Sequence, residues 1–354
     1  MKALIPATDR KTATLHDVAR VAGVSLITAS RALSNPGLVS AKTIARVKQA
    51  AAATGYVPNR VAGSLKSRRS MTVACLVPSI SVAQFLPTVQ VLTERLHAAG
   101  YQVILGQIGY DHAKEEDLID TMLGRRVDGI VMAGLIRSSA VRQRVTQSGT
   151  PLVETWELSD WPADMVVGFS HLKVGSAVAG YFLARGWQRV GIATGDDRRA
   201  GMRREGFLAA WGRPVPTATV PAPSRLELGR QALRELLAQD ARLQAVFCSS
   251  DQLALGVLVE AAAQGLHVPG QLAVCGFGDA DFAAHTEPSL TTVQVDGATI
   301  GRRAAELILE RCRGAAVAEP VVDLGFRIVE RASTHTPDEA RPPVPGLSLK
   351  DPSP

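Results

Sequence analysis

The chain has 354 residues, 46% of them hydrophobic, with 39 basic against 33 acidic side chains and a net charge of +6. That length and apolar content suit a large buried core split into two or three domains. No apolar run reaches the roughly 18–20 residues that a membrane-spanning helix needs, and the start, Met1 to Pro6, lacks an export signal, so the expected compartment is the cytoplasm.

The charge is unevenly placed. Residues 1–70 hold five lysines and seven arginines against Asp9 and Asp17, a net +10, which leaves −4 for the remainder. A polyanion is therefore drawn to one end only.

Residues 1–13 are expected to be a disordered arm, and residues 14–58 to fold as a helix-turn-helix headpiece. Thr14 precedes Leu15-His16-Asp17-Val18. Its hydroxyl is placed to cap a helix, with Asp17 answering as the third residue of a capping box. Gly23 supplies the turn, Ser25 caps a second helix through Leu33, and a third helix begins after Ser40 with Ile44, Val47, Ala50 and Ala51 facing inward.

In such a unit the second helix lies in the major groove, which makes Leu26, Ile27 and Arg31 the base-reading candidates. Arg31 is suited to a bidentate pair with guanine, while Leu26 and Ile27 either pack on thymine methyls or belong to the core. Ser25, Thr28, Ser30 and Tyr56 are donors suited to phosphates, and Thr14 is a further expected DNA contact. Residues 59–70 form a hinge and linker. Asn59 to Ser67 is too short to be a stable helix alone and either orders on a partner, with Asn59, Ala62 and Leu65 against DNA, or is a plain linker.

From Thr14 to Lys66, the stretch TLHDVARVAGVS…ASRALSNP…VSAKTIARVKQAAAATGYVPNRVAGSLK resembles the lactose and galactose repressor family. The resemblance implies a dimeric repressor of double-stranded operator DNA, with a headpiece, a hinge helix and an effector-binding core like that of periplasmic sugar-binding proteins. By position it carries Leu26, Ile27 and Arg31 to base reading and Leu65 to intercalation in the minor groove.

Residues 71–332 then alternate apolar runs with amphipathic stretches. Thr72–Pro78, Gln102–Ile108, Gly129–Ala133 and Pro151–Thr155 form one series of expected strands, and Arg189–Thr194, Ala245–Ser249, Leu272–Phe277 and Leu290–Val295 another. Short apolar runs separated by helical patterns indicate buried parallel sheets. The expected class is α/β: an all-α headpiece followed by a two-lobed, doubly wound core. The resemblance implies three crossings between lobes, placed near Phe169, Asp296 and Gly325, so that lobe 1 takes residues 71–169 and 297–324 and lobe 2 takes 170–296 and 325–332. Residues 333–354 are expected to be a disordered tail without a tetramer-forming heptad.

Ligands of such sheets bind beyond the carboxyl ends of the strands. The loops there supply Phe85, Trp156, Arg199, Ser250, Asp251, Asp279 and Asp281. An aromatic platform with an arginine and several acceptors suits a polyol bearing an anionic group, held by Arg199 as a fork. Trp156 has lobe packing as its alternative, Asp251 an N-cap, and Arg199 a solvated loop.

The segments ETWE, DMVVGFSH, Arg199 before REGF, and GFGDADF resemble gluconate-operon repressors, and Gly278 stands where many sugar-binding relatives carry an acidic residue. This implies a sugar acid such as gluconate as effector. A co-repressor-dependent regulator of another sugar or sugar phosphate, and a non-regulatory sugar-binding protein, are the alternatives. The four cysteines, without a C-x-x-C pair, read as small buried hydrophobes, and no nucleotide-binding, zinc or nucleophile-elbow motif is present, so neither catalysis nor a metal or cofactor is expected.

Overall fold

The computed structural model describes residues 13–57, 69–110 and 112–335. The chain divides into two compact units at Ser70/Met71. No helix among the described residues is long and apolar enough to cross a membrane.

Among the described residues the first unit holds three α-helices, α1 (Leu15–Ala22), α2 (Leu26–Ser34) and α3 (Ala41–Thr54), with a 3-10 turn at Pro36–Leu38. Each begins on a side-chain cap. The Thr14 hydroxyl accepts from Asp17 N–H and the Asp17 carboxylate accepts from Thr14 N–H at 3.0 Å, closing the capping box. Donation from the Thr14 N–H, and from its hydroxyl at 2.8 Å, holds the Asp17 carboxyl below its ordinary range. Ser25 and Ser40 cap α2 and α3 by accepting from Thr28 N–H and Thr43 N–H. Val18, Ala19, Ala22, Ala29, Ala32, Val47, Ala50 and Ala51 fill the core, and so many alanines let three short helices approach closely.

The second unit contains two six-stranded sheets. In the first lobe β1 (Thr72–Val77), β2 (Gln102–Gln107), β3 (Gly129–Ala133), β4 (Leu152–Thr155), β5 (Met165–Gly168) and β11 (Val321–Asp323) lie in the order β11-β5-β4-β3-β1-β2. In the second, β6 (Val190–Gly195), β7 (Thr217–Val220), β8 (Ala245–Cys248), β9 (Ala273–Phe277), β10 (Thr291–Gln294) and β12 (Arg327–Val329) follow the order β12-β10-β9-β8-β6-β7. All pairings are parallel except β10 with β12. The inner strands β3, β4, β5, β6, β8 and β9 are buried along their whole length, as parallel strands covered on both faces must be.

The first lobe carries α4 (Leu86–Ala98), α5 (His112–Gly124) and α6 (Ser139–Ser148); the second carries α7 (His171–Ala184), α8 (Arg198–Trp211), α9 (Leu226–Gln239) and α10 (Asp251–Ala263). The last helix, α11 (Gly297–Cys312), follows β10 but packs on α4 and on β3, β4 and β5, so the chain has returned to the first lobe. It changes lobe again between β11 and β12. The expected runs are strands, and β5, β7, β11 and β12 add to them. β7, β11 and β12 are edge strands whose exposed positions interrupt any apolar run, while β5 is a fully buried run as short as β4 that sequence reasoning passed over.

Residues 333–335 depart from the expected tail. Ala332–Thr334 form a 3-10 turn in which Ser333 and Thr334 are fully buried. The Ser333 hydroxyl donates to the Val274 carbonyl at 2.6 Å and accepts from Thr291 N–H at 2.8 Å. Two small polar residues look like tail composition but here satisfy backbone groups at the end of a buried sheet. Cys75, Cys248 and Cys275 are buried, and Cys312 is half-buried with its thiol donating to the Asp128 carbonyl at 3.2 Å.

Candidate functional site

The headpiece presents one side of α2 to solvent. Leu26 is 38% exposed and Ile27 63%, while Ala29 and Ala32 on the opposite side are buried. Leu26 and Ile27 are thus outside the core, and an exposed apolar pair at the start of a helix-turn-helix second helix is available to base edges. Ser30 and Arg31 are exposed beside them, Arg31 one turn beyond Ile27.

The other expected contacts have local duties. Thr14 is bound into the capping box, Ser25 and Thr28 share a hydrogen bond of 2.9 Å between hydroxyls, and Tyr56 packs half-buried against the core. Asn59, Ala62 and Leu65 lie outside the described residues.

In the second unit the strand order sets where a ligand goes. β1 lies between β2 and β3, and β6 between β7 and β8, so each sheet reverses direction of travel there. A crevice opens beyond the carboxyl ends of strands at such a point. A cavity of about 360 Å³ occupies this place, walled by Phe85 and Tyr110 from the first lobe and by Asp197, Arg199, Arg203, Ser250 and Asp251 from the second.

Phe85 ends the 3-10 turn Ala83–Phe85 that leads into α4 and is buried. The Arg199 guanidinium lies 5.3 Å from its ring centroid, within cation–π range. Nη1 of Arg199 is buried yet has no hydrogen-bond partner among the described residues. A buried guanidinium N–H without an acceptor is costly, and the arginine that carries it lines the cavity.

Ser250 and Asp251 line the cavity but are partly committed. Ser250, not Asp251, caps α10, accepting from Leu253 N–H at 3.3 Å. The Asp251 carboxylate accepts from Thr292 Oγ1 at 2.5 Å and from Ala280 N–H at 2.7 Å, bracing the loop after β9. Burial pushes its carboxyl up to about 6.

Trp156 and Asp279 do not line the cavity. Trp156 is buried behind Phe85, with centroids 5.1 Å apart and edge to face, and its Nε1 donates to Thr88 Oγ1 at 3.1 Å. Its backbone φ is +63°, and its ring packs edge to face on Phe85 and Phe169. Asp279 pairs with Arg331 at 2.7 Å and accepts from Gln294 Nε2 at 2.5 Å, so its charge is spent within the second lobe. Asp281 opens a 3-10 turn outside the wall and accepts from Phe282 N–H.

Sequence reasoning missed Arg203, although its position four residues after Arg199 on α8 puts both on one helical face. Arg203 is buried. Its Nη1 donates to His171 Nδ1 at 2.9 Å, its Nη2 to the Ser249 carbonyl at 2.8 Å, and its guanidinium sits 4.1 Å from the Phe277 ring centroid. Because Nδ1 of His171 accepts, Nε2 carries the proton and donates to the Trp156 carbonyl at 2.9 Å. Burial and then Arg203 hold His171 well below its ordinary range, and burial lowers Arg203 to about 10. Arg203 Nε is a second buried donor on the cavity without a partner among the described residues.

Two glycines make this arrangement possible. A Cβ on Gly206 would sit 2.0 Å from the Leu172 carbonyl oxygen, and one on Gly175 would sit 1.9 Å from that of Arg203. α7 and α8 therefore touch backbone to backbone, which brings His171 within reach of Arg203.

Two family models match, one over residues 14–59 described as bacterial regulatory proteins, lacI family, and one over residues 179–334 described as a periplasmic binding protein-like domain. The HTH-type transcriptional regulator GntR of Pseudomonas aeruginosa is 38% identical over 327 residues, spanning 91% of this chain and 95% of the relative. A crystal structure of a LacI-family transcriptional regulator from Silicibacter pomeroyi superposes with a TM-score of 0.85 at 33% identity, covering 92% of this chain and 100% of that one. A crystal structure of transcription regulator GntR from Chromobacterium violaceum gives 0.71 at 34% identity, covering 74% of this chain and 99% of that one. With an exposed helix-turn-helix face on one unit, a walled cavity in the other and relatives matched over nearly their whole length, the chain belongs to the lacI family of bacterial DNA-binding transcriptional regulators.

Proposed function

We propose that this regulator is a cytoplasmic repressor of a sugar-acid utilisation operon, binding a palindromic operator as a homodimer and released by a gluconate-like effector in the inter-lobe cavity. The observation that carries the effector class is Arg199. Its guanidinium is a cation on the wall of a cavity of about 360 Å³, large enough for a six-carbon polyol acid, and its buried Nη1 lacks an acceptor among the described residues. A carboxylate on Arg199 forms charge-assisted hydrogen bonds, and Ser250 is placed to meet hydroxyls. Gly278 adds no acidic side chain to repel the anion.

On the DNA side, Leu26, Ile27 and Arg31 read base edges in the major groove. Asn59, Ala62 and Leu65 are the proposed minor-groove contacts, with Leu65 as an apolar wedge. The effector acts by preferring the lobe arrangement that disfavours operator binding, a coupling set by the difference in its affinity for two states.

Titration calorimetry of the full chain with gluconate, glucose and glucose 6-phosphate tests the effector class. Saturable heat with gluconate and none with glucose is expected. Binding of glucose with no response to gluconate overturns the sugar-acid reading.

A further inference from the structure

We infer that Glu157, a residue of the first lobe outside the cavity wall, is a positioning residue for the effector site: it clasps Arg198 of the second lobe and so holds the two lobes together around the ligand. The ligand arm of this inference rests on the sugar-acid reading above; the clasp itself does not.

Glu157 follows β4 by two residues and is 2% exposed. Its backbone lies over the end of β5, where a Cβ on Gly168 would fall 2.0 Å from the Glu157 carbonyl oxygen. The close approach fixes Glu157 beside the strand end from which the chain leaves for the second lobe. From there its Oε1 meets Arg137 Nη2 of the same lobe at 3.0 Å and Arg198 Nη2, the first residue of α8, at 3.1 Å. Also nearby are the carboxylates of Glu205, on α8 itself, which acts on Arg198 through space, and of Glu154. The second is held by backbone groups. It is committed to Ile136 N–H at 2.6 Å and Ala163 N–H at 2.9 Å.

Two consequences follow from one shared oxygen. Adjacent arginines divide their work: Arg198 turns to Glu157 and away from the cavity wall, while Arg199 turns into it. Further, the clasp holds two guanidinium groups with one carboxylate. Neutralising Glu157 leaves Arg137 and Arg198 facing each other across the lobes as like charges, so an attraction becomes a repulsion. Both arginine side chains are partly exposed, at 34% and 45%, and screening moderates the effect without removing it.

The test compares the full-length wild type with Glu157→Gln, Arg198→Met and the double variant, by calorimetry with gluconate and by small-angle scattering without ligand. Each single variant is expected to weaken gluconate binding about tenfold through a shifted closure equilibrium. Each is also expected to enlarge the ligand-free radius of gyration, and the double variant to lose no more than either single one. Unchanged affinity, additive losses or superimposable scattering curves overturn the inference. Arg198 is nearly half exposed, so Arg198→Met decides the matter if Glu157→Gln fails to fold. Should the wild type itself not bind gluconate, the sugar-acid reading fails, and the scattering comparison alone decides the clasp: expansion supports it and identical curves overturn it.

Discussion

Arg199 and Phe85 meet across the cleft, the guanidinium of one lobe 5.3 Å from the ring centroid contributed by the other. The ring supports the cation from one side, and the arginine lines the cavity with one buried N–H unpaired among the described residues. Replacing Arg199 by Ala removes that donor and its charge together. Gluconate affinity is expected to fall roughly ten- to hundredfold, the scale of a charge-assisted hydrogen bond, while operator affinity without ligand stays within about twofold. Calorimetry and an operator-binding assay on the same preparation check both halves.

Arg203 serves the fold as well as the cavity. Arg203→Ala leaves His171 Nδ1 and the Ser249 carbonyl without their donor in a buried site, at an expected cost of about 2–4 kcal/mol. Urea unfolding followed by tryptophan fluorescence measures this, because all four tryptophans, Trp156, Trp161, Trp187 and Trp211, lie in the second unit. A midpoint equal to wild type would contradict the network.

Asp251 and His171 give stability opposite dependences on pH. Asp251 titrates at about 6 in the fold against an ordinary 3.8, so the native state holds the extra proton and stability is lost as pH rises from about 4 to about 6. His171 is depressed below its ordinary 6.5, so the unfolded state takes up the extra proton and stability is lost as pH falls below about 6.5. Asp251→Asn removes the first effect alone. Its stability relative to wild type should therefore improve between pH ~4 and ~6, by up to about 3 kcal/mol, and a constant difference across that range would refute the assignment.

Arg31 is exposed on α2 one turn after Ile27 and has no duty in the headpiece core. Arg31→Ala should cost specific operator binding about 1–3 kcal/mol and relax preference at one base pair of each half-site. Gluconate binding and the tryptophan-detected unfolding midpoint should not move. Competition against a panel of single-base operator variants is the check, and a loss equal at every position would recast Arg31 as a phosphate contact.

The headpiece was legible because its signals are local. Thr14, Ser25 and Ser40 each announce a helix that begins at the next residue, and each caps the N–H three residues ahead. Most strands were equally plain, since buried parallel strands are continuous apolar runs. The edge strands β7, β11 and β12 were not, because their exposed positions break the apolar run and their pairing is decided at long range, and the buried run of β5 was passed over. The same division runs through the cavity. Phe85 and Arg199 follow from strand-end position, but Trp156 is packed behind Phe85 and bonded to Thr88, 68 residues away, and Asp279 is claimed by Arg331, 52 residues away. Arg203 was hidden by its place within an arginine-rich helix, where only burial distinguishes it from solvated neighbours.

The most direct measurement of the central claim is fluorescence anisotropy of a selected inverted-repeat operator bound by the full chain, titrated with gluconate for wild type and for Arg199→Ala. Gluconate is expected to release the operator from wild type, and Arg199→Ala to require at least about tenfold more gluconate for the same release. Retention of the operator at saturating gluconate, or equal sensitivity of the two proteins, would contradict the claim.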